Sequence, residues 1–133
     1  MYQNDDAFAQ AFENCTLPND QFHHRDHLRL AFIYLRRYGL DQAGIRISES
    51  ICRFATHHRG AEKYHQTITI AWMRLLAAAA QDMPSSATLD QIFEAVPALL
   101  NKNTICEYYS PALLTSPEAR RHFAEPDVKP LPL

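Results

Sequence analysis

The sequence predicts an all-α protein, and three observations support that class. Apolar residues recur with the 3.6-residue period of an amphipathic helix, and no segment alternates apolar with polar residues over the length of a strand. Glycine is scarce, with 3 residues in 133. The length and a hydrophobic fraction of 47% are ordinary for one domain with a continuous core. We therefore expect a single domain over residues 1–133, a compact bundle of about five to six helices.

The first two helices are predicted from their caps and apolar stripes. Asn4 or Asp5 caps a short helix that runs to about Asn14. A second helix covers about residues 23–38, and Gly39 stands where a left-handed C-terminal cap is needed. The side chains expected to face inward are Ala7, Phe8, Ala11 and Phe12 in the first helix and Leu28, Ala31, Phe32 and Leu35 in the second.

The third and fourth helices carry the most regular apolar stripes. A helix over about residues 41–58 ends at Gly60, and one over about residues 63–82 ends at Met83 and Pro84. The third is expected to bury Ala43, Ile47, Ile51, Phe54 and Ala55. The fourth is the longest and most apolar, and its inward residues are Ile68, Ala71, Trp72, Leu75, Leu76 and Ala79. It is predicted to form the centre of the core.

Two further helix starts are marked by caps. Thr88 caps a fifth helix to about Leu100, which Pro97 must kink or break because proline lacks the amide hydrogen that a helix interior uses. Ser116 followed by Pro117 is a capped start with proline in the first turn, and it opens a final short helix.

The last eight residues, 126–133, contain three prolines and are predicted to be extended. Two outcomes remain open for this tail. Its aliphatic residues Val128, Leu131 and Leu133 pack against its own bundle or that of a second copy, with Lys129 in water, or the tail frays.

Charge and composition argue against several classes of function. A formal net charge of −2 provides no basic field for a nucleic-acid backbone, so no nucleic-acid partner is expected. Uncharged stretches such as Leu75–Gln81 are too short to cross a bilayer, and the acidic, polar start differs from a signal peptide. These features predict a soluble cytoplasmic protein. An odd number of widely spaced cysteines predicts reduced and mostly buried thiols, at Cys15, Cys52 and Cys106.

Three histidines form the pattern that most suggests chemistry. His24 and His27 are three residues apart on the apolar stripe of the second helix, and His65 lies on the apolar face of the fourth. Short connections favour antiparallel neighbours, so the first turns of helices two and four are expected at the same end of the bundle. Three neutral imidazoles are the minimal protein set for a catalytic zinc-type site, and nickel or iron also accepts such nitrogens. The pattern predicts a divalent transition metal on His24, His27 and His65, and leaves open a hydrolase-like activity through a metal-bound water.

The dipoles of the same two helices favour an alternative. Helix N-termini carry partial positive charge, which disfavours a dication, attracts an anion and lowers the pKa of nearby imidazoles. The end of the bundle then suits a small carboxylate, phosphate or aromatic molecule without metal. The residues predicted to line such a site are Tyr64, Thr67, Thr69 and Trp72. A third interpretation is structural: His24 caps a helix, His27 hydrogen-bonds a neighbour, and His65 is a satisfied core residue.

Other histidines and tyrosines are assigned less specific roles. His57 and His58 follow the last apolar turn of the third helix and are expected to be exposed cations near its negative end, although at the level of the other histidines. His122 is expected in solvent. Tyr108 and Tyr109 either close over the site or pack with wet hydroxyls. The sequence leaves the oligomeric state open, with a homodimer as one option.

Taken together, the histidine and tyrosine motifs resemble those of a family of small bacterial proteins with no assigned activity. The pattern is H-x-x-H-L, then Y-H-x-T-[IL]-T, then Y-Y-S, followed by S-x-x-A-R and P-D…L-P, over roughly residues 12–133. The matching residues are His24, His27, Leu28, Tyr64, His65, Thr67, Ile68, Thr69, Tyr108, Tyr109, Ser110, Ser116, Ala119, Arg120, Pro126, Asp127, Leu131 and Pro132. The resemblance implies a site at His24, His27 and His65 and specifies no reaction.

Overall fold

The computed structural model describes residues 4–132, and within them all regular secondary structure is helical, with no strand. This confirms the all-α class. The α-helices are α1 (Asp5–Glu13), α2 (His24–Tyr38), α3 (Leu40–His57), α4 (Gln66–Gln81), α5 (Leu89–Ala95), α6 (Pro111–Leu114) and α7 (Pro117–Arg121). Short 3₁₀ helices span Asn19–Gln21, Ala61–Lys63, Pro97–Leu100 and Lys102–Glu107. No described helix is long and apolar enough to cross a membrane.

The chain divides into two compact units, Met1–Tyr64 and His65–Leu133. The first contains α1 to α3, and the second contains α4 to α7. Each unit has a hydrophobic interior of its own elements, with α1 and α3 packed on α2 in the first and α7 packed on α4 in the second. The expected single domain stays a prediction.

In the first unit, the predicted cap of α1 is confirmed, since the Asn4 side chain accepts hydrogen bonds from the amides of Asp6 and Ala7. Gly39 has the expected positive φ, 81°, and makes the sharp connection between α2 and α3. The predicted inward residues were partly wrong, since Ala7 of α1 is exposed and Ala9 is buried instead. In α2, Phe32 and Leu35 are half-buried, whereas Leu30, Ile33 and Tyr34 are buried, because both α1 and α3 pack against this helix.

A buried tyrosine joins the three helices of the first unit. The Tyr34 hydroxyl donates to the Glu13 carboxylate, with an oxygen–oxygen distance of 2.5 Å, and lies 2.9 Å from the Ser50 hydroxyl. Burial and this hydrogen bond to Glu13 raise the pKa of Tyr34 above its ordinary value, so the hydroxyl remains a donor at neutral pH. The network pairs a polar group from each of α1, α2 and α3.

The boundaries near residue 60 differ from the prediction. The left-handed residue after α3 is Arg59, with φ 60°, while Gly60 has a negative φ. The fourth helix begins at Gln66 instead of residue 63, because Ala61–Lys63 forms a 3₁₀ turn and His65 is the N-cap. His65 therefore precedes the first turn of α4 and does not lie on its helical face.

In the second unit, the local signals after α4 are confirmed. Thr88 and Gln91 form a reciprocal capping box at the start of α5, and the helix stops at Ala95, so Pro97 marks a break. Ser116 caps α7 by accepting a hydrogen bond from the Ala119 amide.

The described part of the C-terminal tail is not helical, in keeping with its prolines, but residues 127–129 bend, and the tail contacts the rest of the second unit through polar groups. Ser110 donates from its amide and its hydroxyl to Asp127, at 2.8 and 2.6 Å, and the Val128 amide donates to the Tyr108 carbonyl. The predicted inward orientation of Val128 was wrong, because its side chain is 57% exposed. Lys129 is exposed, as expected, and pairs with Glu107. Leu133 lies outside the described residues.

Candidate functional site

The H-x-x-H pair lies in the first turn of α2, where His23 is the N-cap and Asp26 accepts a hydrogen bond from the His23 amide. The Nε2 atom of His27 is buried and has no hydrogen-bond partner among the described residues. Burial, together with the neighbouring His24, lowers the pKa of His27 to about 4. His27 is therefore neutral at physiological pH, and one of its ring nitrogens is uncommitted.

A second buried imidazole nitrogen occurs at the end of α3, on the half-buried side chain of His58. His58 is the C-cap of that helix, and its ring packs on Phe54 with a centroid distance of 4.4 Å. Its Nε2 atom is also buried and unpartnered within residues 4–132. The expectation of an exposed side chain was wrong for His58, although His57 is exposed as predicted. The reason is spacing, since a residue four positions after the buried Phe54 lies on the same helical face.

Phenylalanine rings connect the two imidazoles in an aromatic–histidine cluster, which we define as Phe12, Phe22, Phe54, His27 and His58. Phe12 stacks on Phe54 at 4.4 Å and contacts Phe22 at 4.7 Å. Phe22 lies 5.5 Å from Phe54 and 6.1 Å from the ring of His27. The C-terminal end of α3 thus lies beside the first turn of α2, as expected for antiparallel neighbours.

The unpaired nitrogens in this cluster carry an energetic cost. A buried polar group left without a partner is destabilising by roughly 1–3 kcal/mol. The Nε2 atoms of His27 and His58 are the only buried side-chain nitrogen or oxygen atoms of this kind in the described part of the chain. A neutral imidazole nitrogen either donates a hydrogen or offers a lone pair. Each of these two nitrogens therefore has the chemical capacity to form a hydrogen bond or to coordinate a metal ion.

His65, the third predicted metal ligand, is buried in the second unit and uses both ring nitrogens. Its Nδ1 accepts a hydrogen bond from the Ile68 amide at 3.1 Å, and its Nε2 lies 2.7 Å from the Leu114 carbonyl oxygen. Because Nδ1 accepts, the neutral ring carries its hydrogen on Nε2 and donates to Leu114. No ring lone pair is left for a metal while both bonds are formed.

The predicted ligand-binding hydroxyls are also engaged inside the second unit. Thr67 is fully buried. Its hydroxyl donates a hydrogen bond to the Ala119 carbonyl oxygen at 2.6 Å and accepts one from the Ala124 amide at 3.0 Å. Thr69 donates to the carbonyl of His65. Both hydroxyls hold backbone segments in place. Of the two aromatic residues in the same prediction, Trp72 is buried and Tyr64 half-buried.

The tyrosine and serine motifs have structural contacts as well. Tyr109 is completely buried, and its hydroxyl donates to the Ala124 carbonyl. Burial and the nearby carboxylate of Glu125 raise the pKa of Tyr109 to about 12. With the Ser110–Asp127 contact, this bond holds the C-terminal segment against residues 109–110, which connect the last 3₁₀ helix to α6. The expectation of a wet hydroxyl was wrong for Tyr109.

No group of three or more His, Cys, Asp or Glu side chains that could hold a metal occurs in residues 4–132. All three cysteines are free, as predicted, but Cys52 and Cys106 are exposed instead of buried. The set of His24, His27 and His65 stays a prediction.

Comparisons of the chain with protein-family models, curated proteins and solved structures found no match. The described part of the chain is all-α, and its first unit contains two buried imidazole nitrogens that have no hydrogen-bond partner there.

Proposed function

We propose that this protein binds a divalent transition metal through histidine nitrogens, with His27 as the central ligand. The supporting observation is the buried Nε2 of His27, which lacks a hydrogen-bond partner in the described structure. Metals bind the neutral form of imidazole, and the lowered pKa of His27 keeps that form populated at neutral pH. A metal on Nε2 would remove the cost of the unpaired atom.

The sequence predicts His24 and His65 as its companions, with zinc, nickel or iron as the ion. His24 is one turn from His27 on α2. Ligation through Nε2 would place the ring hydrogen of His65 on Nδ1, so His65 would give up both its bond to Leu114 and its bond from the Ile68 amide, a net loss of about 1–3 kcal/mol. Structural zinc sites release about 10–16 kcal/mol in peptides, so that loss is small beside the gain from a metal. A hydrolase-like activity depends on this metal and is proposed only with it.

Isothermal titration of protein without an affinity tag tests the proposal. Zinc, nickel and iron(II) salts are titrated separately into the wild type, His27→Leu and His122→Asn. His122 is exposed and serves as the matched control. We expect at least one metal to bind near one equivalent, to be lost in His27→Leu and to be retained in His122→Asn. Circular dichroism establishes that each variant is folded. A wild-type protein that binds none of the three metals would refute the proposal.

A second candidate function is metal-free binding of a small aromatic molecule. The observation favouring it is the aromatic–histidine cluster itself, in which phenylalanine rings surround two unpaired hydrogen-bonding nitrogens. Apolar walls with a few polar groups are typical of small-molecule sites. A thermal-shift screen separates the two functions. Heteroaromatic compounds that raise the melting temperature, with no effect of divalent metals, would favour this candidate.

A further inference from the structure

The ring nitrogen proposed to bind a ligand is covered in the structure. Nε2 of His27 is buried, so a ligand reaches it only after the chain around it moves. We propose that residues 18–22, in the connection between α1 and α2, form a lid over His27 and that Phe22 is its latch. This inference rests on the proposed function in taking His27 as the ligand-binding residue, and it applies to a metal or to an aromatic molecule.

The start of α2 brings Phe22 and His27 together. His23 is the N-cap, so Phe22 directly precedes the cap and His27 is the fourth residue of the helix. Side chains at these two positions commonly pack on each other and fix the direction in which the chain enters a helix. Here the ring centroids are 6.1 Å apart, and Phe22 has the only ring that contacts His27 within residues 4–132. The lid therefore touches the residue that it is proposed to cover.

The direction of the His27 side chain agrees with this placement. Side chains of an α-helix lean towards its N-terminus, so the His27 ring extends over the first turn of α2. The lid enters α2 at that same end. The ring and the lid therefore meet where the helix begins.

Few contacts hold the lid on the first unit. Within the described structure its backbone hydrogen bonds are local, in and beside the 3₁₀ helix Asn19–Gln21. Every lid residue except Phe22 is exposed. The chain just before the lid is fixed, because Leu17 is buried and its amide donates to the Ala11 carbonyl. The lid is therefore free to move while α1 and α2 stay in place.

Phe22 supplies the contacts that keep the lid closed. Its ring centroid lies 4.7 Å from that of Phe12, 5.5 Å from that of Phe54 and 6.1 Å from that of His27. Segments with few buried apolar contacts open at a low free-energy cost. Because Phe22 is the one lid residue that is not exposed, withdrawal of a single ring opens the lid.

The lid regulates how readily His27 binds. A site that is open in only a fraction of the molecules has an apparent affinity reduced by that fraction. After the lid closes on a ligand, the apolar ring of Phe22 keeps water away, which strengthens a polar or metal contact to Nε2 of His27. Opening of the lid thus sets the rate of entry, and its closure helps to retain the ligand.

Chemical modification of histidine tests the lid without any ligand. Diethyl pyrocarbonate transfers an ethoxycarbonyl group to a neutral, accessible imidazole nitrogen, and tandem mass spectrometry gives the rate for each histidine. The rates at neutral pH are compared in the wild type, Phe22→Ala, Phe22→Leu and Phe32→Ala. Phe32 is the matched control, because it is also half-buried but belongs to α2 and not to the lid. The exposed His122 is the internal standard.

The wild type should modify more slowly at His27 than at His122. An aromatic pair changes an equilibrium constant by about 2- to 12-fold and Phe22 makes three such contacts, so Phe22→Ala should speed modification of His27 by at least about tenfold. Phe22→Leu should give a smaller increase, because leucine retains part of the packing. Phe32→Ala should stay within about twofold of the wild type, because Phe32 is outside the opening segment.

Equal rates at His27 in Phe22→Ala and Phe32→Ala would overturn the lid, as would a wild-type His27 that reacts as fast as His122. If circular dichroism shows that Phe22→Ala is unfolded, Phe22→Leu carries the same comparison. None of these results depends on a metal. A protein in which Phe22→Ala exposes His27, but which binds neither the three metals nor an aromatic compound, would refute the proposed function and support the lid.

Discussion

Buried histidines have different environments in the two units of this chain. In the second unit, both ring nitrogens of His65 are hydrogen-bonded to backbone groups. In the first unit, His27 and His58 each bury a ring nitrogen that has no partner in the described structure. The comparison shows that burial of a ring nitrogen does not by itself distinguish a structural histidine from an available one. Hydrogen-bond satisfaction does.

The same contrast applies to the other buried polar residues. Thr67 and Tyr109 of the second unit bind backbone groups of the C-terminal segment, and Tyr34 of the first unit pairs with Glu13 and Ser50. These residues stabilise the fold, because each forms a hydrogen bond with a polar group that would otherwise be buried and unpaired. The two imidazoles of the aromatic–histidine cluster differ from these residues, because each has a buried ring nitrogen without a hydrogen-bond partner in the described structure.

Acid should expose the cost of burying a neutral imidazole in the first unit. Burial lowers the pKa of folded His27 to about 4 from its ordinary value of 6.5, so below pH 6.5 the unfolded state binds a proton more readily. Stability should therefore fall between pH 6.5 and 4, by up to about 3 kcal/mol from this residue, and the effect should level off below pH 4. Urea denaturation of metal-free protein across this range measures the loss.

His27→Leu is the control for this acid effect. The variant lacks the titrating group, so its stability should depend less on pH over the same interval. Identical pH profiles for the wild type and His27→Leu would contradict the account of His27.

A substitution in the second unit should reduce the free energy of unfolding because it removes buried hydrogen bonds that are formed in the native state. In Thr67→Val the methyl replaces a hydroxyl that binds both the Ala119 carbonyl and the Ala124 amide. Loss of these buried bonds should reduce the free energy of unfolding by about 2 kcal/mol. Thr56→Val is the matched control, because Thr56 is exposed and bonds only to the preceding turn. Equal losses in the two variants would argue against a structural role for Thr67.

The smallest effect is expected in the tail. Asp127→Ala removes the acceptor for both the amide and the hydroxyl of Ser110, at the surface of the molecule. The backbone bond from Val128 to Tyr108 should then open more often. Amide hydrogen exchange should become faster at Val128 and stay unchanged in α2 and α3. Glu125→Ala, at an exposed position close to Asp127, is the control. If the Val128 amide exchanges equally fast in Asp127→Ala and in Glu125→Ala, Asp127 does not anchor the tail.

Local sequence signals predicted most of the helix ends correctly. Asn4, Thr88 and Ser116 act as caps, and Pro97 breaks the helix, because each effect depends on residues within one turn. The start of α4 was misplaced. No proline or glycine marks residues 63–65, and the capping role of His65 depends on its own ring nitrogen accepting from Ile68.

Contacts between distant residues account for the remaining errors at the site. The partner of His65 is a carbonyl 49 residues away, and no spacing rule in a single sequence predicts it. His58, however, was detectable. It follows the predicted core residue Phe54 by four positions, and the same spacing argument used for His24 and His27 places it on a buried face. It was assigned to solvent because it follows the last apolar turn of its helix.

One measurement tests the central claim, that the first unit holds imidazoles available for binding while the second uses its imidazole to fold. The free energies of unfolding of His27→Leu and His65→Leu are compared with the wild type at pH 7.5 without metal. We predict a change within about 1 kcal/mol for His27→Leu, because leucine removes an unpaired nitrogen. His65→Leu should lose about 2–4 kcal/mol, because the Ile68 amide and the Leu114 carbonyl lose their partner. An equal or greater loss in His27→Leu would contradict the account.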